Sequence, residues 1–217
     1  MARLARVVLP GQPHHIIQRG NRRQDVFFQE SDYEFYLGLL KEWCAKEGVE
    51  IWSYCLMTNH IHLIVRPGVS SRLAKAIGEV HRRYTNEINR RNGWSGYLWQ
   101  GRFSSYPMSE EWLLRAAAYV ELNPVAAGMV DNAWDYRWSS VHAYLAGCDS
   151  QGIVTTEPLL SYVSHWSDFL MGAMRNVNDE IIKHESTGRP LGGEVYVEQA
   201  GLILGRDLLK KKPGPKT

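Results

Sequence analysis

Residues 53–67 have the sequence S-Y-C-L-M-T-N-H-I-H-L-I-V-R-P, which combines strand-forming residues, a polar turn and a second apolar strand. Because successive side chains of a strand point to opposite faces, His60 and His62 share one face of the second strand and Ile61 points to the other. Two imidazoles thus project together from a strand with an apolar back. This spacing suits a divalent metal with positions open for a third ligand, water or substrate, and it equally suits two histidines that line a polar sheet face.

The segments around this hairpin follow a β-α-β-β-α-β order. The predicted elements are a strand over 12–19, a helix over 31–48, strands over 49–56 and 60–65, a helix from Ser70 or Ser71 to Asn92, and a strand over 97–106. Apolar residues recur at helical spacing in both helices, and Ser31 with Glu34 has the pattern of a capping box. The order predicts a ferredoxin-like α+β fold with one antiparallel sheet, two helices on one face and the other face open for a site.

A third helix is predicted directly after the sheet. Ser109 is placed to cap it, and Pro124 disfavours its continuation, so Asn123 is expected at its end. Tyr119 and Asn123 are four residues apart and therefore share a helix face. Without the histidines, a packing tyrosine and a capping asparagine explain this pair better than a catalytic role does. Further helices are predicted up to residue 144, over 157–185 and over 194–209.

The net charge of +2 is unevenly distributed along the 217 residues. Residues 1–24 hold five arginines and no acidic residue, residues 72–102 hold seven basic residues against two acidic ones, and residues 206–217 form a basic tail. This pattern indicates contact with a polyanion. No apolar run is long enough for a membrane span or signal peptide, and the three separated cysteines match no disulfide or zinc pattern, so a cytoplasmic protein is expected.

Four segments occur together in this order: H-I-H-L-I-V, L-W-Q-G-R-F, A-Y-V-E-L-N-P-V-A-A-G and T-G-R-P-L-G. With them the sequence resembles the REP-associated tyrosine transposases, relatives of the single-tyrosine HUH (IS200-like) transposases of bacteria, in which two histidines flank one hydrophobic residue. The resemblance covers residues 5–140 and extends more loosely into the C-terminal part. It implies a ferredoxin-like catalytic domain over residues 1–140, followed by a helical extension with a basic tail over residues 141–217.

This resemblance implies a single-strand DNA endonuclease and transesterase. The positions that match the family's functional residues are Tyr119 for the nucleophile and His60, His62 and Asn123 for the metal ligands. The implied cofactor is Mg²⁺ or Mn²⁺, since such a ligand set leaves positions for phosphate oxygens and water. The implied intermediate is a 5′-phosphotyrosine with a free 3′-hydroxyl, which conserves the bond energy and lets strands be rejoined without ATP.

The implied partner is single-stranded DNA folded into imperfect palindromic hairpins next to a short guide tetranucleotide. Candidate phosphate contacts are Arg19, Arg22, Arg23, Arg82, Arg83 and Arg102. Trp99 and Phe103 are interpreted either as stacking platforms for bases or as core residues. The segment Gly188-Arg189-Pro190 is either a minor-groove contact or a loop between helices. The long C-terminal extension favours a monomer, with a dimer as the alternative.

The residue that removes the tyrosine proton is not identified by any motif. His81 and Glu79 are candidates, although packing and surface roles explain them more simply. Two other functions stay open for this chain. One is a hairpin-binding regulator that does not cut DNA, and the other is a metal-dependent phosphodiesterase in which water replaces Tyr119 as the nucleophile.

Overall fold

In the strand that carries His60 and His62, alternate side chains point to two apolar cores, one on each face of the sheet. The computed structural model describes residues 6–174, 181 and 188–209. Ile61, Leu63 and Val65 are fully buried on one face, in a core shared with the first two long helices. Ile64 is fully buried on the other face, in a core shared with the third long helix. The strand therefore has two covered faces, and the histidines belong to the second.

The order of the elements confirms the predicted fold. The strands are β1 (His14–Arg19), β2 (Val49–Leu56), β3 (His60–Pro67) and β4 (Ser104–Pro107). The helices of the described residues are α1 (Glu30–Lys46), α2 (Leu73–Asn92), α3 (Glu110–Ala126), α4 (Val141–Leu145), α5 (Glu157–Leu160), α6 (Trp166–Met174) and α7 (Glu194–Leu204), with short 3₁₀ turns at Asn21–Arg23 and Ala133–Asp135. The sheet has the order β2-β3-β1-β4, and all its neighbouring strands are antiparallel, as in a ferredoxin-like fold.

Several predicted boundaries of the helices and strands were wrong. The capping box of α1 pairs Gln29 with Asp32 rather than Ser31 with Glu34. The fourth strand is four residues long, since the stretch before it forms a single bridge to Gly20 and otherwise loops. The region predicted as one helix over 157–185 holds α5 and α6, and most of its remainder lies outside the described residues.

The third helix continues past the residue predicted to end it. Pro124 lies inside α3, which runs on to Ala126. A proline removes only one backbone donor from a helix, and Ala127 N still donates to Asn123 O at 2.9 Å, which closes the last turn. Ser109 is the N-cap, as predicted, but its side chain makes no capping hydrogen bond. Asn123 is therefore held in a regular turn four residues after Tyr119.

Asp32 joins the start of α1 to the end of α2. Its Oδ2 accepts from Phe28 N at 2.9 Å and Gln29 N at 3.1 Å, and also from Arg91 Nη2 at 3.0 Å. We expect Asp32→Ala to lower the free energy of unfolding by about 2 kcal/mol, because it removes a cap and a buried ion-pair partner together. Urea unfolding measures this loss. Glu87→Ala, which breaks an exposed pair on α2, is the matched control and should change little.

The residues after α3 pack back onto the second core. Tyr144, Leu159 and Trp166 are buried there, so α4, α5 and α6 cover the same face of the sheet as α3. A third, smaller core joins α7 to the N-terminal segment through Val7 and Leu9. Among the described residues, no helix has the length and apolar character needed to cross a membrane. The basic tail lies mostly outside the described residues, and the domain division at residue 140 stays a prediction.

Candidate active site

The four residues predicted to carry the chemistry come together between β3 and α3. The ring centroids of His60 and His62 are 4.9 Å apart, and those of His62 and Tyr119 are 5.4 Å apart with the rings perpendicular. Asn123 lies one turn after Tyr119, where its Nδ2 donates to Tyr119 O at 3.2 Å. The Asn123 side chain also lies beside His60. These four residues come from one strand and one helix.

A third histidine, which the sequence analysis did not assign to the site, belongs to this cluster. His15 on β1 pairs directly with Ile64 of β3, which places it diagonally next to His62. Its Nε2 is 3.0 Å from His62 Nδ1, and its ring centroid is 5.8 Å from that of Tyr119. The His15 side chain is fully buried, and its Nδ1 has no hydrogen-bond partner. His15 therefore contacts both a predicted ligand and the predicted nucleophile.

Burial keeps all three imidazoles neutral at physiological pH. It lowers the pKa of His60 to about 4, with Arg19 adding to the effect, and lowers the pKa of His15 to about 3. Burial also holds the pKa of His62 well below its usual value, and the neighbouring His60 and His15 contribute in the same direction. A neutral imidazole has one nitrogen lone pair available to a metal ion or a donor. The cluster thus offers lone pairs rather than positive charges.

Both predicted ligands have their Nδ1 atoms occupied by neighbours. His60 Nδ1 is 2.6 Å from Asn59 Oδ1, and His62 Nδ1 is 3.0 Å from His15 Nε2. An imidazole that donates from one nitrogen presents the lone pair of the other. The Nε2 atoms of the pair are accordingly the atoms available to a metal ion, and the Asn123 amide oxygen can supply a third donor.

The cluster supplies three donor atoms for a divalent cation only if the Asn123 amide oxygen is counted with the two histidine nitrogens. In the part of the chain that the structure describes, no three His, Cys, Asp or Glu side chains are grouped so as to hold a metal ion. His15 is excluded as a third ligand by its contact with His62. Two imidazole nitrogens and one amide oxygen suit Mn²⁺ or Mg²⁺ with its remaining positions open to phosphate oxygens or water.

The six predicted DNA-contacting arginines fall into two groups. Arg19, Arg22, Arg23 and Arg102 lie at the end of the sheet where β1 finishes and β3 begins. Arg82 and Arg83 lie on α2, on the face of the sheet opposite the histidines, and both pair with Glu79. The structure thus brings the first group near the site and places the other two on a different surface, where their DNA contact stays a prediction.

Other candidate residues lie away from the site. Trp99 and Phe103 are each 6% exposed in the core under α1 and α2, so of their two interpretations the structure supports the core residue and not the stacking platform. His81 is buried in the same core, stacked on Trp99 and bonded to the Tyr36 hydroxyl at 3.0 Å, and Glu79 shares its helix. Neither base candidate reaches Tyr119, which lies on the opposite face. Arg189 Nε donates to Leu208 O at 3.2 Å, within the C-terminal part.

Comparison with solved structures finds the same fold in one protein of low sequence identity. A REP-associated tyrosine transposase bound to a REP hairpin matches with 19% identity and a TM-score of 0.59, over 67% of this chain and 86% of that chain. A putative transposase from Deinococcus radiodurans matches with 20% identity and a TM-score of 0.40, over 55% and 95% of the two chains. A bacterial tRNA(His) guanylyltransferase-like protein in complex with GTP matches with 9% identity and a TM-score of 0.35, over 58% and 71%.

The family assignment comes from the sequence. Residues 11–123 match the model of the family described as IS200-like transposase. Because this match spans more than half of the chain, the protein belongs to the IS200-like transposase family, as the sequence resemblance indicated. The matched segment begins before His15 and ends at Asn123, so it includes every residue of the cluster. No curated protein matches the chain significantly.

Proposed function

We propose that this protein is a metal-dependent transesterase that cuts and rejoins hairpin-containing single-stranded DNA through a 5′-phosphotyrosine link to Tyr119. The observation that carries the proposal is the position of the Tyr119 ring, 5.4 Å from His62 and edge-on to it, in a member of a transposase family. The hairpin substrate is supported by the solved relative, which is bound to a REP hairpin. A tyrosine hydroxyl next to two imidazole nitrogens that can hold a metal ion is the arrangement needed for metal-assisted attack of tyrosine on a phosphate.

In this proposal the chain's own residues hold the reacting groups. His60 and His62 would hold the metal ion through Nε2, with Asn123 as third ligand, on the evidence of the donors described above. When bound, a divalent ion offsets the charge of the scissile phosphate and polarises its oxygens. Tyr119 extends from a helix packed against the sheet, so its hydroxyl has a fixed direction of approach. When the nucleophile and the phosphate are both held in place, the reaction is effectively unimolecular, which lowers its barrier.

The bond changes are those of a transesterification. The Tyr119 oxygen forms a bond to phosphorus, the bond from phosphorus to the 3′-oxygen of the neighbouring nucleotide breaks, and the phenolic proton is transferred to that leaving oxygen or to water. The products are a 5′-phosphotyrosine and a free 3′-hydroxyl. A second 3′-hydroxyl then attacks the same phosphorus and releases the tyrosine, so one phosphodiester is conserved throughout and no ATP is consumed.

The test is a denaturing gel of the protein with labelled single-stranded hairpin DNA and Mn²⁺. The proposal expects a band of protein-linked DNA that appears with the metal and is absent with EDTA. Adduct formation without any metal would contradict the metal dependence. Tight hairpin binding without cleavage or adduct, over several hairpins, would instead favour the regulatory alternative.

A monomer acting on its own tyrosine is part of the proposal. Glu121 of α3 accepts a hydrogen bond from Trp166 Nε1 at 2.7 Å, which joins α3 to the C-terminal extension, and another from Ser140 Oγ at 2.8 Å, directly before that extension. It also accepts from Ser53 Oγ of β2 at 3.4 Å. Such contacts hold α3, which carries Tyr119, against the sheet of its own chain and so favour a monomer. They also make residues 1–140 and 141–217 interdependent. Light scattering with and without DNA measures the oligomeric state, and a stable dimer would contradict this part.

His15 is expected to position His62 for the metal. If His62 donates from Nδ1 to His15 Nε2, its Nε2 is left unprotonated and aimed away from β1. We expect His15→Ala to weaken Mn²⁺ binding about 10- to 100-fold, since loss of such a partner has effects of this size in other metal sites. Isothermal titration with Mn²⁺ measures this without DNA. His142→Ala, at an exposed histidine of α4, is the control, and an unchanged Mn²⁺ affinity in the His15 variant would contradict the role.

A further inference from the structure

Two loops meet at the end of the sheet that carries His60. We call residues 20–28, between β1 and α1, and residues 94–102, between α2 and β4, the edge loops. Asn21 N donates to Leu98 O at 2.8 Å, which joins the two loops. Gln100 N donates to Arg19 O at 2.8 Å, which joins the second loop to the end of β1. The edge loops thus form one hydrogen-bonded surface rather than two independent segments.

This surface is continuous with the candidate active site. Gly20 N donates to Asn59 O and Val26 N donates to Thr58 O, both at 2.8 Å. Both polar atoms of the Asn59 side chain are engaged: Nδ2 donates to Arg23 O at 3.2 Å, and Oδ1 lies 2.6 Å from His60 Nδ1. One side chain therefore bridges the first edge loop and a predicted metal ligand. A strand bound across the edge loops would lead directly to His60.

Three large aromatic side chains are exposed on the edge loops. Phe28, Trp94 and Tyr97 are 45%, 48% and 87% exposed, and the rings of Phe28 and Trp94 lie 5.5 Å apart at 78°. Trp99, in the same loop, is buried, so the exposure of Tyr97 is not a general property of the segment. Single exposed apolar residues are common, but two exposed aromatic rings in contact, with a third three residues further along the same loop, indicate a binding site.

The charges around these rings are those that a polyanion requires. Arg22, Arg23 and Arg102 are exposed, and none of them forms an ion pair with another described residue. Asp25 is the only acidic residue of the edge loops. Arg22 and Arg23 have positive φ angles of 54° and 61°, a conformation that costs free energy for residues other than glycine and occurs often at functional sites.

We propose that the edge loops bind the unpaired nucleotides that flank the hairpin, with bases stacked on Trp94, Tyr97 and Phe28 and phosphates against Arg22 and Arg23. This inference rests on the proposed function and adds a location for the single-stranded part of the substrate. Stacking on an aromatic ring requires an accessible base face, which a base inside a duplex does not offer. The rings therefore favour unpaired bases, and the unpaired arginines favour a nucleic acid over an apolar protein partner.

The experiment compares two DNA probes and two variants. The probes are an imperfect palindromic DNA hairpin with mixed-sequence single-stranded flanks and the same hairpin without flanks, both fluorescein-labelled and measured by anisotropy in EDTA to prevent cleavage. The Trp94→Ala/Tyr97→Ala double variant should bind the flanked hairpin at least about 10-fold more weakly than wild type, given what base stacking contributes. It should bind the unflanked hairpin with unchanged affinity.

Conservative changes separate stacking from structural damage. The Trp94→Phe/Tyr97→Phe variant keeps both rings and should retain the affinity for the flanked probe, and Tyr162→Ala, which removes an exposed tyrosine near α5, should leave it unchanged. Equal binding of the flanked hairpin by wild type and the alanine variant would overturn the inference, as would an equal loss on both probes. If the wild-type protein bound no hairpin at all, the proposed function itself would fail and the inference with it.

Discussion

Replacement of Tyr119 by phenylalanine should abolish the covalent protein–DNA band while leaving hairpin binding intact. The variant removes one oxygen atom, and that oxygen is the atom proposed to attack phosphorus. The ring remains to pack against His15 and His62, whose centroids lie 5.8 and 5.4 Å from that of Tyr119. We expect a loss of adduct of at least about 10⁴-fold, since removal of a catalytic nucleophile has effects of this order. Denaturing gels with labelled DNA and Mn²⁺ measure it.

The same variant separates two kinds of nuclease. In a hydrolytic phosphodiesterase, water attacks, and Tyr119→Phe would still release cut DNA. In the transesterase, neither cut DNA nor adduct forms. Tyr106→Phe is the matched control, because Tyr106 on β4 also lies beside His15, 6.3 Å between ring centroids, but is buried in the second core. Cleavage that persists in Tyr119→Phe would rule out the proposed role of the tyrosine.

The sequence predicted the parts of the site that depend on short spacings. Alternation placed His60 and His62 on one face of a strand, and helical periodicity placed Tyr119 and Asn123 on one face of a helix. Both predictions describe side chains within a single element, where backbone geometry alone fixes direction. The facing of β3 and α3 followed from the family resemblance and not from the spacing.

His15 was missed because its position depends on pairing between strands. The sequence has the doublet His14-His15 in a predicted strand, so one of the two had to face the site. Which one does so is fixed by the register of β1 against β3, where a shift of one residue would exchange their faces. His14 in fact points to the opposite face, with Nδ1 2.8 Å from Gln12 O. A short-range pattern cannot supply that register.

The aromatics of the edge loops could not be placed from the sequence for a related reason. Residues 97–106 are dense in aromatic residues, which predicted a strand and left Trp99 and Phe103 open as stacking platforms or as core residues. Instead, the chain loops after α2, Trp99 turns into the core beside Tyr36 and His81, and Tyr97 stays outside. Composition predicts that aromatics are present, but only packing decides which of them are covered.

The pH dependence of stability should change when Glu121 is replaced by glutamine. Glu121 is fully buried, and desolvation raises its pKa to about 7, although Trp166, Ser140 and Ser53 donate hydrogen bonds to it. The folded state therefore favours the protonated acid. This contribution is complete below the unfolded pKa of 4.5 and is lost as the pH rises to about 7, a difference of about 3 kcal/mol in the free energy of unfolding.

The buried histidines change the free energy of unfolding with pH in the opposite direction, so their contribution must be separated from that of Glu121. The pKa values of His14 and His81 are lowered by burial to about 4 and about 3, so these residues favour folding above pH 6.5 and oppose it as the pH falls. Wild-type stability alone therefore mixes two opposing slopes. Because Glu121→Gln leaves the histidines unchanged, the difference between wild type and variant isolates the contribution of Glu121.

A glutamine at position 121 can keep the hydrogen bonds that the Glu121 carboxylate makes. Its Oε1 can accept from Trp166 Nε1, and its Nε2 can donate to Ser140 Oγ, which lies 2.8 Å from the carboxylate. Urea unfolding of the metal-free protein should therefore show equal stabilities at pH 4, with Glu121→Gln more stable than wild type at pH 8. Glu111→Gln, at an exposed position of α3, is the control and should follow wild type at every pH. Parallel curves for Glu121→Gln and wild type would mean that Glu121 is ionised when buried, with the three donors fully offsetting its desolvation.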